Sequence, residues 1–298
     1  KSSITRNCHL IKYALDNETA ISISISERFK YLQNWRQGEK VGKVIILRDI
    51  HTKNMHAGHQ RILLDLVRPA GVNNYAQLHT QWLDVLDVNI LNKRFFQELA
   101  NWYFWAMDEV QFPDDLEKNQ EKRNSTILIR LITRVIFIWF IKEKQLVPSS
   151  LFNKNYLKNI LKDFLKEDSS NDYYKAILQN LFFATLNQKM GERDFADDHN
   201  GYNKEDQGIK TKYRYPEKFT ISKKEILELF KDIPFLNGGL FDCLDKFDEE
   251  KLEKGKKDQL FTDGFTRIGE KQAVIPDFLF FGEETDVDLT QYFDPEAK

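Results

Sequence analysis

The sequence predicts a mainly α-helical protein with a small antiparallel β element at its N-terminus. Three observations carry that expectation. Strict apolar–polar alternation is confined to the first fifty residues, and from His56 onward apolar residues recur at intervals of three and four. The chain is 41% hydrophobic and 13% aromatic, enough apolar surface for substantial cores. Its 298 residues allow one to three domains.

The β element comes first. "HLIKYALD" and "AISISISE" flank the turn-like Asp16-Asn17-Glu18, and the second alternates Ile with Ser, the mark of a strand with one buried and one wet face. "KVGKVIILRDI" is a third candidate. Three strands alone are marginal, so either the following helices cover them or their partners lie upstream of Lys1. Residues 1–50 are accordingly expected to be a partial β element, the tail of an upstream domain.

The helices follow. "HAGHQRILLDLV" sets Ile62, Leu63 and Leu66 on one side, and "NYAQLHTQWLDVL" spaces Tyr75, Leu78, Trp82 and Leu86 by threes and fours. "LNKRFFQELANWYFWAMDEVQFP" holds seven aromatics in 23 residues, and Leu91, Phe95, Leu99, Trp102 and Ala106 form its stripe. Helix-periodic aromatics are normally core, so the Trp102–Trp105 run is expected to be structural rather than a stacking platform for bases. Asn124-Ser125-Thr126 supplies a capping signal for "ILIRLITRVIFIWFIKEKQLVP", which Pro148 ends. That segment is apolar almost all round and is expected to be buried on most sides. "SLFNKNYLKNILKDFLKE", "NDYYKAILQNLFFATLNQ" and the short capped "SKKEILELFKDI" complete the helices. Met190 to Tyr215 carries three glycines and many charges with little periodicity, which predicts an exposed loop at 190–215. "AVIPDFLFFGE" reads as a strand or extended segment. Residues 51–298 are thus expected to form one helical domain.

Composition excludes several classes. Lys plus Arg (44) nearly balances Asp plus Glu (46), so any nucleic-acid role must reside in a local patch. Cys8 and Cys243 are too far apart in sequence for a disulfide framework or metal knuckle, which fits a reducing cytosol. The N-terminus lacks an apolar signal core. The most apolar window, Ile127 to Ile141, contains Arg130 and Arg134 and falls short of the ~20 residues a bilayer requires. The expectation is a cytoplasmic protein without a membrane partner.

Candidate chemistry is sparse. His51, His56 and His59 include an i, i+3 pair, but a metal site needs three or four ligands and no matching motif follows, so no metal residue is assigned. Asn237-Gly238-Gly239 lacks the strand–glycine–helix context of a phosphate loop and reads as a turn requiring positive φ. Pro113-Asp114 and Pro276-Asp277 lack the acid-x-Lys pair of a metal-dependent nuclease, and Glu249-Glu250-Lys251 sits in a charge run. No catalytic residue is assigned. Arg130 and Arg134, if buried, require carboxylate partners, and an internal ion pair is expected.

One segment suggests binding. "IKTKYRYPEKF" interleaves Lys210, Lys212, Arg214 and Lys218 with Tyr213 and Tyr215 against one acid, Glu217. On a flexible loop, such cations pair with phosphates and such aromatics stack on bases. These six residues are the candidate DNA contacts. The bland alternative is a solvent loop with snorkelling side chains.

The ordered series "LNKRFFQELANWYFWAMDEVQFP", "IRLITRVIFIWFIKEKQLVPSSLF", "NLFFATLNQ", "FLNGGLFD" and "IPDFLFFGE" resembles the region before the methyltransferase core of type IIG restriction–modification enzymes. "KVIILRDI", "HAGH" and "QLHTQWLDVLD" are similar to the stretch linking nuclease to connector in that family. The resemblance implies a non-catalytic helical connector, a fragment of a larger chain carrying an endonuclease and an adenine-N6 DNA methyltransferase. It implies S-adenosylmethionine and Mg2+ for the full-length enzyme and no cofactor in this segment. The implied partners are the nuclease and methyltransferase domains of the same chain and double-stranded DNA, bound weakly and without sequence preference. A free-standing helical interaction module of a bacterial phage-defence system is the alternative.

Overall fold

In a computed structural model, the protein is described over residues 4–15, 18–31, 35–53, 55, 57–196, 210–236, 238–248 and 259–282. Two compact units divide the chain, Lys1–Leu99 and Ala100–Lys298.

The first unit is built on β1 (Ile4–Leu15), β2 (Glu18–Lys30) and β3 (Glu39–His51), an antiparallel sheet in the order β1-β2-β3. The Ile/Ser alternation of β2 sets its isoleucines on one face, as the period of two requires. There Ile25 lies opposite Cys8 on β1 and Ile45 on β3. Helices α1 (Ala57–Asp65) and α2 (Tyr75–Val85) cover that face: Ile25 packs with Leu83 and Leu86, and Ile23, Ile45, Leu47, Ile62, Leu66 and Trp82 surround them. The strands therefore share their compact unit with the helices that follow. Asn74 caps α2 by accepting from the Gln77 N–H, and Trp82 Nε1 donates 2.8 Å to the Leu66 carbonyl.

The second unit begins within α3 (Val88–Glu109) and contains α4 (Gln120–Glu143), α5 (Lys154–Ile160), a π-helix (Tyr173–Leu186) and α6 (Lys223–Phe230). Every residue of the π-helix is buried. Two of its polar members bond in place: Asn180 Nδ2 donates to the Ala176 and Arg214 carbonyls, and Thr185 Oγ1 donates to the Asn180 carbonyl five residues back. The aromatic run of α3 is core as expected at Trp105, which stacks on Phe278 at 5.5 Å, and at Trp102, whose Nε1 donates 2.7 Å to the Leu279 carbonyl. Phe95, Phe96 and Phe104 face solvent.

Several expectations are corrected. The described residues are 47% helix and 19% strand, so the fold is mixed rather than plainly mainly α. The expected burial of α4 on most sides fails: Ile127, Leu131, Arg134, Ile138 and Ile141 face the core, while Ile129, Ile136 and Phe140 are exposed. The central position belongs to the π-helix. "AVIPDFLFFGE" is not a strand along its described residues. Val274 pairs with Gln111 in one bridge, and Phe278–Phe281 forms a helical turn that the contacts with Trp102 and Trp105 hold down. Within the expected 190–215 loop, Met190, Gly191, Glu192 and Asp194 are exposed, whereas Phe195 and Tyr213 pair in a bridge and pack into the core. Neither Gly238 nor Gly239 has positive φ, and Asn237 lies outside the described residues. A glycine is required instead at Gly264, where φ is +64° and a Cβ would meet the Ala273 nitrogen at 2.5 Å.

The expected internal ion pair is found for Arg134. Nη1 donates 2.9 Å to Asp263 Oδ1, Nε 2.8 Å to the Leu240 carbonyl and Nη2 2.8 Å to the Asp242 carbonyl, with both ionic side chains 1% exposed. Arg130 is less buried and donates to the Asp242 carbonyl at 3.4 Å. Replacing one member of a buried pair strands the other. Arg134→Ala is expected to cost about 3–5 kcal/mol, measured as a drop in urea midpoint. Little or no change would show that the pair is not needed for stability.

Candidate functional site

The basic, tyrosine-bearing segment is drawn inward by its aromatics. Tyr213 lies 5.5 Å from both the Phe195 and Phe230 rings, and its hydroxyl meets Thr185 Oγ1 at 2.8 Å. Burial pushes its pKa up to about 12. Tyr215 is buried too, adopts φ +62°, and donates its hydroxyl 3.1 Å to the Thr266 carbonyl. Arg214 is equally buried, with its guanidinium 5.0 Å from the Phe265 ring. Its backbone N–H donates 2.9 Å to Asn180 Oδ1, and its carbonyl accepts from Asn180 Nδ2. An extended segment with both backbone groups capped by one asparagine cannot reach a phosphate without leaving the core.

The three lysines stay nearer the surface but hold internal partners. Lys210 Nζ donates 3.3 Å to the Cys243 carbonyl, and Lys212 Nζ lies 3.8 Å from Asp194 Oδ2. Lys218 Nζ donates 2.5 Å to Asp172, whose carboxylate is 1% exposed. The structure thus brings the six sequence-selected residues together as a strut of the second unit. Tyr213, Arg214 and Tyr215 are corrected from exposed contacts to core residues.

Around that strut lies a polar cluster that the sequence did not reveal. Asp277 accepts from the Tyr173 and Leu165 N–H groups, and burial pushes its pKa up to about 6. Lys175 donates 2.9 Å to Gln272 Oε1, and burial, assisted by the charge of Lys218, pulls its pKa down to about 8. A cavity of about 240 Å³ lies alongside, lined by Arg214, Tyr215, Glu217, Arg267 and Gln272 among others. It falls below the ~300–1,000 Å³ of ligand pockets. Deeper in the unit, Asp245 accepts from the N–H groups of Thr262, Asp263, Gly264 and Phe265, so this buried carboxylate organises a loop. Burial, then the charge of Asp263, raises its pKa.

The remaining sequence candidates are placed as follows. His51 and His59 are partly buried, and His56 lies outside the described residues. Among the described residues no group of three or more His, Cys, Asp or Glu could hold a metal ion. Asp114 forms an exposed pair with Lys118, and Asp277 is the buried cap just described. Glu249, Glu250 and Lys251 lie outside the described residues.

Over 65% of its length the chain is similar to a protein named for restriction–modification. That relative, from Methanocaldococcus jannaschii, bears the provisional name of a type II restriction enzyme and methyltransferase. It is 29% identical over 193 residues, which cover 65% of this chain and 13% of the relative. No family model matches, and no solved structure matches.

Two stability predictions follow from the cluster. Lys218→Ala leaves the Asp172 carboxylate buried without its cation and is expected to cost ~1–3 kcal/mol, whereas Lys212→Ala stays within ~0.5 kcal/mol. Equal denaturation midpoints for the two variants would contradict this. Lys175 binds its proton less tightly folded than unfolded, so its charge opposes folding below pH 8 and the penalty is relieved as pH rises from about 8 toward 10.5. Stability is expected to increase between pH 7 and pH 9.5, below the range where buried tyrosines oppose the trend. Lys175→Met is expected to remove that rise and to add ~1 kcal/mol at pH 7. A rise that persists in the variant would assign it to another group.

Proposed function

We propose that this chain is the non-catalytic helical connector of a type IIG restriction–modification enzyme, the segment between its nuclease and its adenine-N6 methyltransferase. The observation that carries this reading is the 193-residue similarity to the archaeal protein named for both activities. The connector's role is geometric. Cleavage at a fixed offset from a methylated base requires a spacer that does not bend. A helical unit with a buried ion pair and an aromatic-clamped turn at Phe278–Phe281 suits that work. In the full-length enzyme, S-adenosylmethionine and Mg2+ serve the flanking domains, and no residue of this segment is given a role toward them. Duplex DNA is the partner of the whole enzyme in the cytoplasm. This segment's share is a weak contact with the backbone, to which Lys210 and Lys212 contribute.

Sequencing the source gene on both sides is the direct test. A Gly-rich cofactor loop and an Asn-Pro-Pro-aromatic segment are expected downstream, and a stop codon just past Lys298 would sink the connector reading. The purified chain is expected to transfer no methyl group from labelled S-adenosylmethionine to duplex DNA and to leave the duplex uncut. Detectable transfer or cleavage would make it catalytic. Fluorescence anisotropy on a duplex should show weak binding that falls steeply with salt. Changing Lys210 and Lys212 together to Ala should flatten the salt slope by ~2. An unchanged slope would remove both lysines from the contact.

A further inference from the structure

The solvent face of α4 is as ordered as its core face. Lys122, Thr126, Ile129, Thr133, Ile136, Phe140 and Glu143 follow one another at intervals of four and three, the spacing of a helix-pairing seam. Ile129 is 54% exposed, Ile136 46% and Phe140 58%, and Phe137 and Trp139 flank them at 37% each. The two threonines are effectively apolar in this stripe. Thr126 Oγ1 donates 2.8 Å to the Lys122 carbonyl and Thr133 Oγ1 2.8 Å to the Ile129 carbonyl, so each hydroxyl is spent on its own helix. Together the five large side chains offer on the order of 500 Å² of apolar surface, toward the upper end of what a monomer leaves open.

A membrane is one conceivable seat. Among the described residues α4 is the one helix long and apolar enough to cross a bilayer. Its other face, however, is committed to the protein core and holds the Arg134–Asp263 pair. The charges that end the seam select a different occupant. Lys122 closes one end and Glu143 the other, so two copies lying antiparallel put each Lys122 near the partner copy's Glu143, whereas parallel copies juxtapose like charges. Their present partners, Glu117 for Lys122 at 2.6 Å and Lys142 for Glu143 at 2.5 Å, are surface pairs of little energy and easily exchanged. Lys142 itself lies over the Trp139 ring at 3.7 Å, off the seam. A two-fold axis makes such a surface self-complementary.

We propose that the α4 seam is a homodimer interface, in which two copies of this chain pair antiparallel through Ile129, Ile136 and Phe140. The patch is smaller than the ~800 Å² per partner of a standard interface, so the dimer is weak, with a dissociation constant in the micromolar range. Sedimentation equilibrium of the 298-residue chain should show a monomer–dimer equilibrium at concentrations on the order of 100 μM. Phe140→Glu, at an exposed position, should keep the native circular dichroism spectrum and remain monomeric. Lys122→Glu and Glu143→Lys should each weaken association roughly two- to fivefold, and the double variant should restore it. A chain that stays monomeric, or a Phe140→Glu variant that associates like the parent, overturns the interface. Restoration that fails overturns the antiparallel arrangement. Flotation of a monomeric chain with anionic phospholipid vesicles assigns the face to a membrane instead.

Discussion

The second unit depends on a single cation. Arg134 enters the core from α4 and is the point at which the helix, the 240–242 turn and the Asp263 loop meet. A buried guanidinium is costly in isolation, and the cost is offset only because each branch finds an acceptor. The rings of Phe182 and Phe183, with centroids 5.5 and 5.0 Å from the guanidinium carbon, close the space around it. Asp263 completes the arrangement by accepting the Leu244 N–H at 2.7 Å through its other oxygen. A fork with three fixed acceptors specifies one packing, where a leucine at 134 would tolerate several.

The same logic recurs one layer further in. Asp245 gathers four consecutive N–H groups, Asn180 caps both backbone groups of Arg214, and Asp277 caps the entry to the π-helix. None of these is an ion pair on the surface. They are buried carboxylates and amides that satisfy backbone irregular enough to have no ladder of its own. Loop-rich cores of this kind derive their uniqueness from polar satisfaction, with the aromatic clusters supplying the bulk of the burial.

Much of the fold was legible because it rests on periodicity. The Ile/Ser alternation of β2, the stripes of α2 and α3, and the Ser222 cap of α6 are read directly from spacing, whereas the capping signal expected at Asn124-Ser125-Thr126 lies inside α4, which Asn119 caps. The need of Arg134 for an acid was legible too, though which acid was not, since Asp263 stands 129 residues away. The misreadings share a cause. Apolar content alone does not say which of two apolar helices is central, and here it is the π-helix rather than α4. Lys-Tyr-Arg-Tyr reads as a wet patch because tyrosine and arginine are amphipathic, and only tertiary partners decide which end wins. The polar cluster of Asp172, Lys175, Lys218 and Asp277 left no local pattern, because its members come from three separate stretches of chain.

The clamp between Trp102 and the Leu279 carbonyl spans 177 residues of sequence. Contacts so remote in the chain form late and slowly, because their loop-closure entropy must be met before they reward it. On a ribosome adding 5–20 residues per second, α3 emerges roughly 10–35 s before the turn that seals it. Through that interval Trp102 and Trp105 lack the turn that covers them in the fold. Aromatic surface left open during synthesis favours transient chaperone contact, and the Phe278–Phe281 turn is the latch that closes over it.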